Sequence, residues 1–248
     1  MPQTVEGTVP VATPTAIFNQ SKLLFDDSGR FKTSVNYSNY GKYTLNLETI
    51  GRSGERRDAA HTVFYVPVFR DLIDHPALKT LQQLAAIGVF TPDASGMFGP
   101  EQAVTRADAV FWLAKALDIA PNPQRRSPFL DIESNHPLYP YLPVLIDENW
   151  FSSQQQIKLN PTALLTRAQA IELLVRASWN AGEAPAALPY TDVSATTPLA
   201  GFVAKALKMG IVNPAEKLNP NQELNKLEYL LMISKLSDVQ TRLQVKSY

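Results

Sequence analysis

The chain has 248 residues, 45% hydrophobic and 19% charged, enough apolar side chain to bury a sizeable core and a length that suits one or two domains. Lysine plus arginine and aspartate plus glutamate balance at 23 each, so the whole-chain attraction that drives non-specific binding to nucleic acid or anionic lipid is missing, and an anionic ligand has to be held locally. The lack of cysteine excludes a disulfide framework, a thiol nucleophile and a Cys-based zinc site. No run approaches the ~18 apolar residues of a membrane helix, and the start MPQTVEGTVP has neither a charged leader nor an apolar signal core. The chain is therefore expected to be cytosolic or a piece of a longer protein.

Residues 1–66 read as strands. TVEGTVPV, TAIFN, GRFKTSVNY, KYTLNLETI and HTVFYV are short, rich in Val, Thr, Tyr and Phe and partly alternating, with DDSG, SNYG and GRSGE as the intervening turns. The order, V-x-G-x-V followed by D-x-G-x-F and a late strand after a charged turn, resembles the compact immunoglobulin-like modules of bacterial surface proteins. Phe25-Asp26-Asp27-Ser28-Gly29 hints at a calcium loop but lacks the later Glu of an EF-hand, and reads more simply as a hairpin turn. Arg56-Arg57 and Arg125-Arg126 read as solvated loop charges.

From Val68 onward the pattern becomes helical and repeats. FRDLIDHPALKTLQQLAAIGVF, FLDIESNHPLYPYLPVLIDENWF and YTDVSATTPLAGFVAKALKMGIV align, with Asp71, Asp131 and Asp192 at intervals of 60 and 61. Pro76, Pro137 and Pro198 step by 61 and 61, as do Gly88, Asn149 and Gly210. Pro100, Pro161 and Pro220 step by 61 and 59, as do Arg106, Arg167 and Lys226. Proline suits the first turn of a helix, so DHP, NHP and TTP are expected helix starts. Leu78, Leu81, Leu84 and Ala85 then share a face, with Tyr139, Leu142, Leu145 and Ile146 as counterparts. Gly88, Asn149 and Gly210 fall at the helix end, where a left-handed closing residue is needed.

A second helix starts in each unit. Thr105 with Asp108, Thr166 with Gln169 and Asn225 with Glu228 have the spacing of a capping box. Ala107, Val110, Phe111 and Ala114 form an apolar stripe, matched by Ala168, Ile171 and Leu174 and by Leu227, Leu230 and Leu231. Cap and stripe account for the flanking residues of VTRADAVF and LTRAQAIE but leave Arg106 and Arg167 without a role.

This repeat resembles the S-layer homology module, with its F-x-D opening, a first helix ending in Gly, a loop reaching F-x-P and the tetrad T-R-A-E. The first copy has Phe69, Asp71, Gly88, Phe98, Pro100 and Thr105-Arg106-Ala107-Asp108. The second has Phe129, Asp131, Asn149, Leu159, Pro161 and Thr166-Arg167-Ala168-Gln169; the third has Tyr190, Asp192, Gly210, Leu218, Pro220 and Asn225-Lys226-Leu227-Glu228. The resemblance implies three lobes whose second helices meet around a pseudo-threefold axis, with grooves between lobes that hold an anionic cell-wall polysaccharide, often through a pyruvate ketal. It also implies that the tetrad arginine is the groove residue. A guanidinium offers a paired fork to a carboxylate, and a helix N-terminus is expected to add backbone N–H groups beside it. The chain departs from the family pattern at Pro76 and Pro137, where an aromatic usually follows the His, at Pro92-Asp93 and Ser153-Gln154, where Gly-Tyr is usual, and at Lys226, which has charge without the fork. One or two working grooves are expected rather than three.

The reading is thus a multidomain α plus β chain: a small immunoglobulin-like β-sandwich over 1–66, then an all-α three-lobed module with repeats at 67–122, 123–183 and 184–248. Arg106, Arg167 and Lys226 are the candidate ligand-binding cations, with Asp71, Asp131 and Asp192 beside them. The arginines have an alternative role as struts to one of these aspartates in the neighbouring lobe. The aspartates equally suit loops and caps, where Asp bonds to the backbone two residues on. His75 and His136 are read as caps, and no histidines have metal-ligand spacing. Trp112, Trp150 and Trp179 could pack or stack on sugar, Trp112 being placed for packing. The expected function is a non-catalytic, cofactor-free envelope anchor outside the cell, the C-terminal part of a longer precursor that carries the signal peptide. Its partners are a polysaccharide linked to peptidoglycan and neighbouring surface proteins, not nucleic acid and not a membrane-spanning environment. The rival is a protein–protein or lattice scaffold with degenerate repeats; a third reading is an accessory fragment of a carbohydrate-active enzyme.

Overall fold

The computed structural model describes residues 2–10, 13, 15–151, 158–178, 182 and 188–244. The N-terminal strands are β1 (Pro2–Thr8), β2 (Thr15–Phe18), β3 (Ser21–Leu23), β4 (Arg30–Asn36), β5 (Gly41–Ile50) and β6 (Arg56–Tyr65). They form a two-stranded sheet, β1-β4, and a four-stranded sheet ordered β3-β2-β5-β6, with antiparallel pairing throughout. Alternate residues of both sheets point into one apolar cluster that includes Val5, Phe18, Leu23, Phe31, Val35 and Leu45. Three sequence expectations change. The two residues Asn19 and Gln20, both at positive φ, make a tight turn into the short β3, which the pattern had not marked. Arg56 and Arg57 are not loop residues but begin β6, and Arg56 pairs with Glu48 on β5 at 3.0 Å. The Asp26–Gly29 turn is not a hairpin, because it joins β3 and β4 of different sheets; the Asp26 carboxylate closes it by accepting from Ser28 and Arg30 N–H at 2.9 Å.

Helices follow in pairs: α1 (Leu78–Ala86) with α2 (Arg106–Ala116), α3 (Leu142–Asp147) with α4 (Arg167–Ala177), and α5 (Pro198–Lys208) with α6 (Lys226–Ile233), before a last short helix α7 (Ser237–Leu243). Leu81, Leu84, Leu142 and Leu145 are fully buried, as the first-helix periodicity requires. Gly88, Asn149 and Gly210 close the first helices at φ of 81, 58 and 68°. Proline opens a helix only in the third pair, at Pro198. In the first two pairs Pro76 and Pro137 sit in a preceding turn, held by His75 and His136, whose Nδ1 atoms accept from Ala77 and Leu138 N–H at 3.1 Å. The third second-helix stripe also shifts. Leu227 and Leu231 are only half-buried, whereas Tyr229, Leu230, Met232 and Ile233 are buried.

The pairs close on one another through their backbones. Val104 N–H donates to Leu224 O, Leu224 N–H to Leu165 O and Leu165 N–H to Val104 O, at 3.1, 2.9 and 2.9 Å, a closed triangle of three buried residues just before the second helices. A single apolar cluster runs from Phe69 through all three pairs to Leu243, separate from that of the β unit. The two units meet where Gln82 donates to Pro67 O at 2.6 Å and Lys42 to Arg242 O at 2.7 Å. No helix among the described residues is long and apolar enough to cross a membrane.

Candidate functional site

Each candidate cation is the first residue of a second helix. Thr105, Thr166 and Asn225 are the N-caps, each accepting from the N–H three residues on. The capping box is reciprocal at Thr166–Gln169 and Asn225–Glu228, whereas the Thr105 hydroxyl donates to Asp108 Oδ2 at 2.6 Å. The next pair takes up the remaining donors. Arg106 and Ala107 N–H donate to Ala163 and Pro161 O at 2.8 and 3.1 Å, Arg167 and Ala168 N–H to Gln222 and Pro220 O at 2.8 and 2.9 Å, and Lys226 and Leu227 N–H to Gln102 and Pro100 O at 2.8 and 3.2 Å. The expectation that helix N-termini offer backbone N–H groups to a ligand is therefore corrected: these donors are already bonded, and a groove ligand meets side chains.

The aspartates hold the facing loops. Asp71 accepts from Phe98 and Gly99 N–H, both at 2.8 Å; Asp131 from Leu159 and Asn160, at 2.9 and 2.7 Å; Asp192 from Leu218 and Asn219, both at 2.8 Å. Each bond spans 26 to 29 residues rather than two, so the clamp is tertiary rather than a local turn. The second residue of each clamped pair, Gly99, Asn160 or Asn219, has φ of 71, 52 or 55°, a left-handed position beyond those expected at the helix ends. The signal was present as Gly or Asn directly before Pro100, Pro161 and Pro220.

Helix and loop thus bracket a groove at each junction, and the three grooves differ. Between the first and second pairs lies a cavity of about 230 Å³ lined by Arg106, Trp150, Phe151, Lys158, Asn160 and Gln169, among others. Among the described residues the Arg106 guanidinium makes no ion pair. Burial pushes its pKa below the usual arginine value, opposed by the field of Asp131, whose oxygens hold the loop N–H groups. Between the second and third pairs, a cavity of about 300 Å³ is lined by Arg167, Tyr190, Asn213, Lys217 and Asn219, among others. Here the guanidinium is engaged, donating to Glu228 Oε1 at 3.0 Å and Gln222 Oε1 at 3.2 Å. Arg167 is a strut between the second and third helix pairs whose partner is Glu228, not one of the three aspartates.

At the third junction Lys226 is turned onto the Phe98 loop. Its Nζ donates to Phe98 O at 2.7 Å and lies 4.5 and 5.2 Å from the Phe98 and Phe90 ring centres. Burial pushes its pKa down, against the pull of Asp93, Asp71 and Asp108. Lys226→Ala removes the bond and both ring contacts and is expected to cost about 1–3 kcal/mol, read as a lower urea midpoint. Trp150 is buried at the edge of the first groove, and Trp112 packs on Phe90 at 6.4 Å. Trp179, Ser153 and Gln154 lie outside the described residues.

The Asp71 clamp carries a pH dependence. Burial pushes the Asp71 carboxyl up, but the Phe98 and Gly99 N–H groups and Lys226 pull it further down, leaving it below the ordinary aspartate value. A depressed carboxyl pKa adds stability above the unfolded value of ~3.9, and that stability is lost as the pH falls through the lower folded value. Thermal midpoints should fall below about pH 4, and Asp71→Asn should lower the midpoint at pH 7 and flatten this acid limb.

Fold and site together define a helical repeat module with interlocked helix pairs and a cation at the start of every second helix. The family model for the S-layer homology domain matches residues 68–110 and 189–230, which lie in the first and third helical units. The Surface-layer 125 kDa protein of Lysinibacillus sphaericus is 25% identical over 165 residues, 64% of this chain and 14% of that protein. The chain thus spans a small part of that relative's length.

Proposed function

We propose that the chain is a non-catalytic anchoring module of a cell-envelope surface protein, exported as part of a longer precursor. The middle helix pair is read as a third S-layer homology repeat, giving repeats over 67–122, 123–183 and 184–248 around a pseudo-threefold axis, and residues 1–66 as an immunoglobulin-like module. The two matched stretches and the surface-layer relative support this reading. The ligand is an anionic polysaccharide linked to peptidoglycan, with a carboxylate, as in a pyruvate ketal, held by the Arg106 fork and the sugar against Phe151. One observation carries the assignment to this groove: Arg106 is a half-buried guanidinium without an ion-pair partner among the described residues, facing a cavity of about 230 Å³ that also contains Lys158. Two carboxylates act near it, Asp131 and the cavity-lining Glu172, but Asp131 accepts from the loop N–H groups and Glu172 pairs with Arg176 at 2.9 Å, which leaves the guanidinium fork for an external carboxylate.

Co-sedimentation with purified sacculi, before and after removal of the attached polysaccharide, tests the proposal. The anchor reading expects retention only while the polysaccharide is present. A scaffold without sugar binding is the second reading, favoured by the internal engagement of the other two cations, Arg167 by Glu228 and Lys226 by the Phe98 loop. It expects no retention in either case.

A further inference from the structure

Four tyrosines gather at one end of the β unit. Tyr37 lies between Tyr43 and Tyr65, with ring centres 4.6 and 5.2 Å away, and Tyr65 meets Tyr40 at 5.3 Å, so the rings form a row in the order Tyr43, Tyr37, Tyr65, Tyr40. Three of them are half-buried and Tyr40 is 48% exposed. None belongs to the apolar cluster between the two sheets. We propose that this row is a carbohydrate-binding platform for uncharged pyranose units, separate from the Arg106 groove.

The loop that builds it, Asn36-Tyr37-Ser38-Asn39-Tyr40-Gly41, leads from β4 of the small sheet into β5 of the large one and contains only tyrosine, serine, asparagine and glycine. Loops built for recognition have this composition, because tyrosine offers a large rigid ring at little entropic cost while serine and asparagine supply adaptable hydrogen bonds. The loop is held in place: the Tyr43 hydroxyl donates to Asn39 O at 2.6 Å, and Gly41 makes room for the Tyr43 ring, which a Cβ there would approach to 3.2 Å. The hydroxyls of Tyr37, Tyr40 and Tyr65 make no hydrogen bond among the described residues, and Ser38 and Asn39 are exposed beside them. Side chains alternate along a strand, so Lys42 turns to the opposite face of β5 from Tyr43, where it reaches Arg242 O at 2.7 Å; the helical module therefore meets the other face of the sheet.

A pyranose presents a face of C–H bonds, which the negative face of an aromatic ring attracts, and an edge of hydroxyls, which phenol, amide and serine groups can bond. The loop has no charge with which to hold an anion, and the adjoining Lys42 is engaged by α7, so the ligand chemistry differs from the carboxylate proposed for Arg106. A protein partner fits less well. A stable complex covers about 800 Å² on each side, whereas this platform is one row of four rings, three of them already half-buried, and its loop contains no aliphatic residue.

The inference stands whether or not the Arg106 groove binds a wall polymer. Its test uses the full chain and the Arg106→Ala variant, titrated with soluble oligosaccharides of glucose, galactose, mannose and N-acetylglucosamine while the backbone amide resonances of residues 36–41 are followed. At least one of these sugars should shift them to saturation, with affinities for the two proteins within about twofold of each other. Tyr40→Ala removes the most exposed ring and should weaken binding by at least about tenfold, whereas Tyr40→Phe keeps the ring and should stay within about threefold of wild type. No saturable shift with any of the sugars, undiminished binding by Tyr40→Ala, or loss of binding in Arg106→Ala overturns the platform. Shifts that follow protein concentration without sugar would make the row a contact between copies and overturn it equally. Failure of the protein to sediment with sacculi sinks only the anchoring reading and leaves these outcomes to decide.

Discussion

Tyr229→Ala is expected to destabilise the helical module more than any other single truncation, by about 3–5 kcal/mol against a typical domain stability of about 5–15 kcal/mol. Tyr229 is fully buried and is the largest fully enclosed side chain among the described residues. It is the fourth residue of its helix, and the same position in the other two second helices holds Ala109 and Ala170, both fully buried. The Tyr229 hydroxyl crosses to the first of these helices and donates to Ala109 O at 2.9 Å. Burial pushes its phenol pKa well above the ordinary value, so the hydroxyl stays a donor throughout the usual pH range. Removing the ring leaves a cavity in the helical core, whereas Tyr229→Phe removes only the hydrogen bond and should cost about 1 kcal/mol. Urea unfolding of both variants checks this; a loss below about 1 kcal/mol for the alanine would show that Tyr229 does not hold the units together.

Arg106→Ala is expected to abolish measurable retention on sacculi while leaving the thermal midpoint within about 2 °C of wild type, because no ion pair among the described residues is broken. Arg106→Lys keeps the charge without the planar fork and should weaken binding by about tenfold. Arg167→Ala should do the reverse. It breaks the pair with Glu228 and leaves that carboxylate partly buried, for a loss of about 1–2 kcal/mol with little change in affinity. Full binding by Arg106→Ala would remove the groove assignment, and a large fall in its midpoint would make Arg106 a strut like Arg167.

The sequence periodicity revealed the helix pairs, their left-handed closures at Gly88, Asn149 and Gly210, and the cation at the head of each second helix, because these are local patterns repeated at a fixed interval. What stayed hidden depends on which unit faces which. Thr166 and Gln169 announce a cap, but nothing in LTRAQAIE says that Arg106 lies across from Gln169 or that Arg167 meets Glu228 from the next unit. The clamps of Asp71, Asp131 and Asp192 reach across a whole loop, beyond any local rule for aspartate. Pro76 and Pro137 had the right residue type for a helix start, yet the His75 and His136 turns delay the helix by several residues. Tyr229 was overlooked because a helix surrounded by neighbours buries more than one stripe. In the β unit, β3 has only three residues, too few for alternation to register.

The most direct measurement is the arginine side-chain Nε–H spectrum of the protein, with Arg106 and Arg167 assigned by substitution, recorded while polysaccharide released from sacculi is titrated in. The Arg106 resonance should shift to saturation with the binding curve while that of Arg167, held by Glu228, stays in place. Saturable binding with Arg106 unmoved, or with Arg167 shifting in its stead, would contradict the groove assignment.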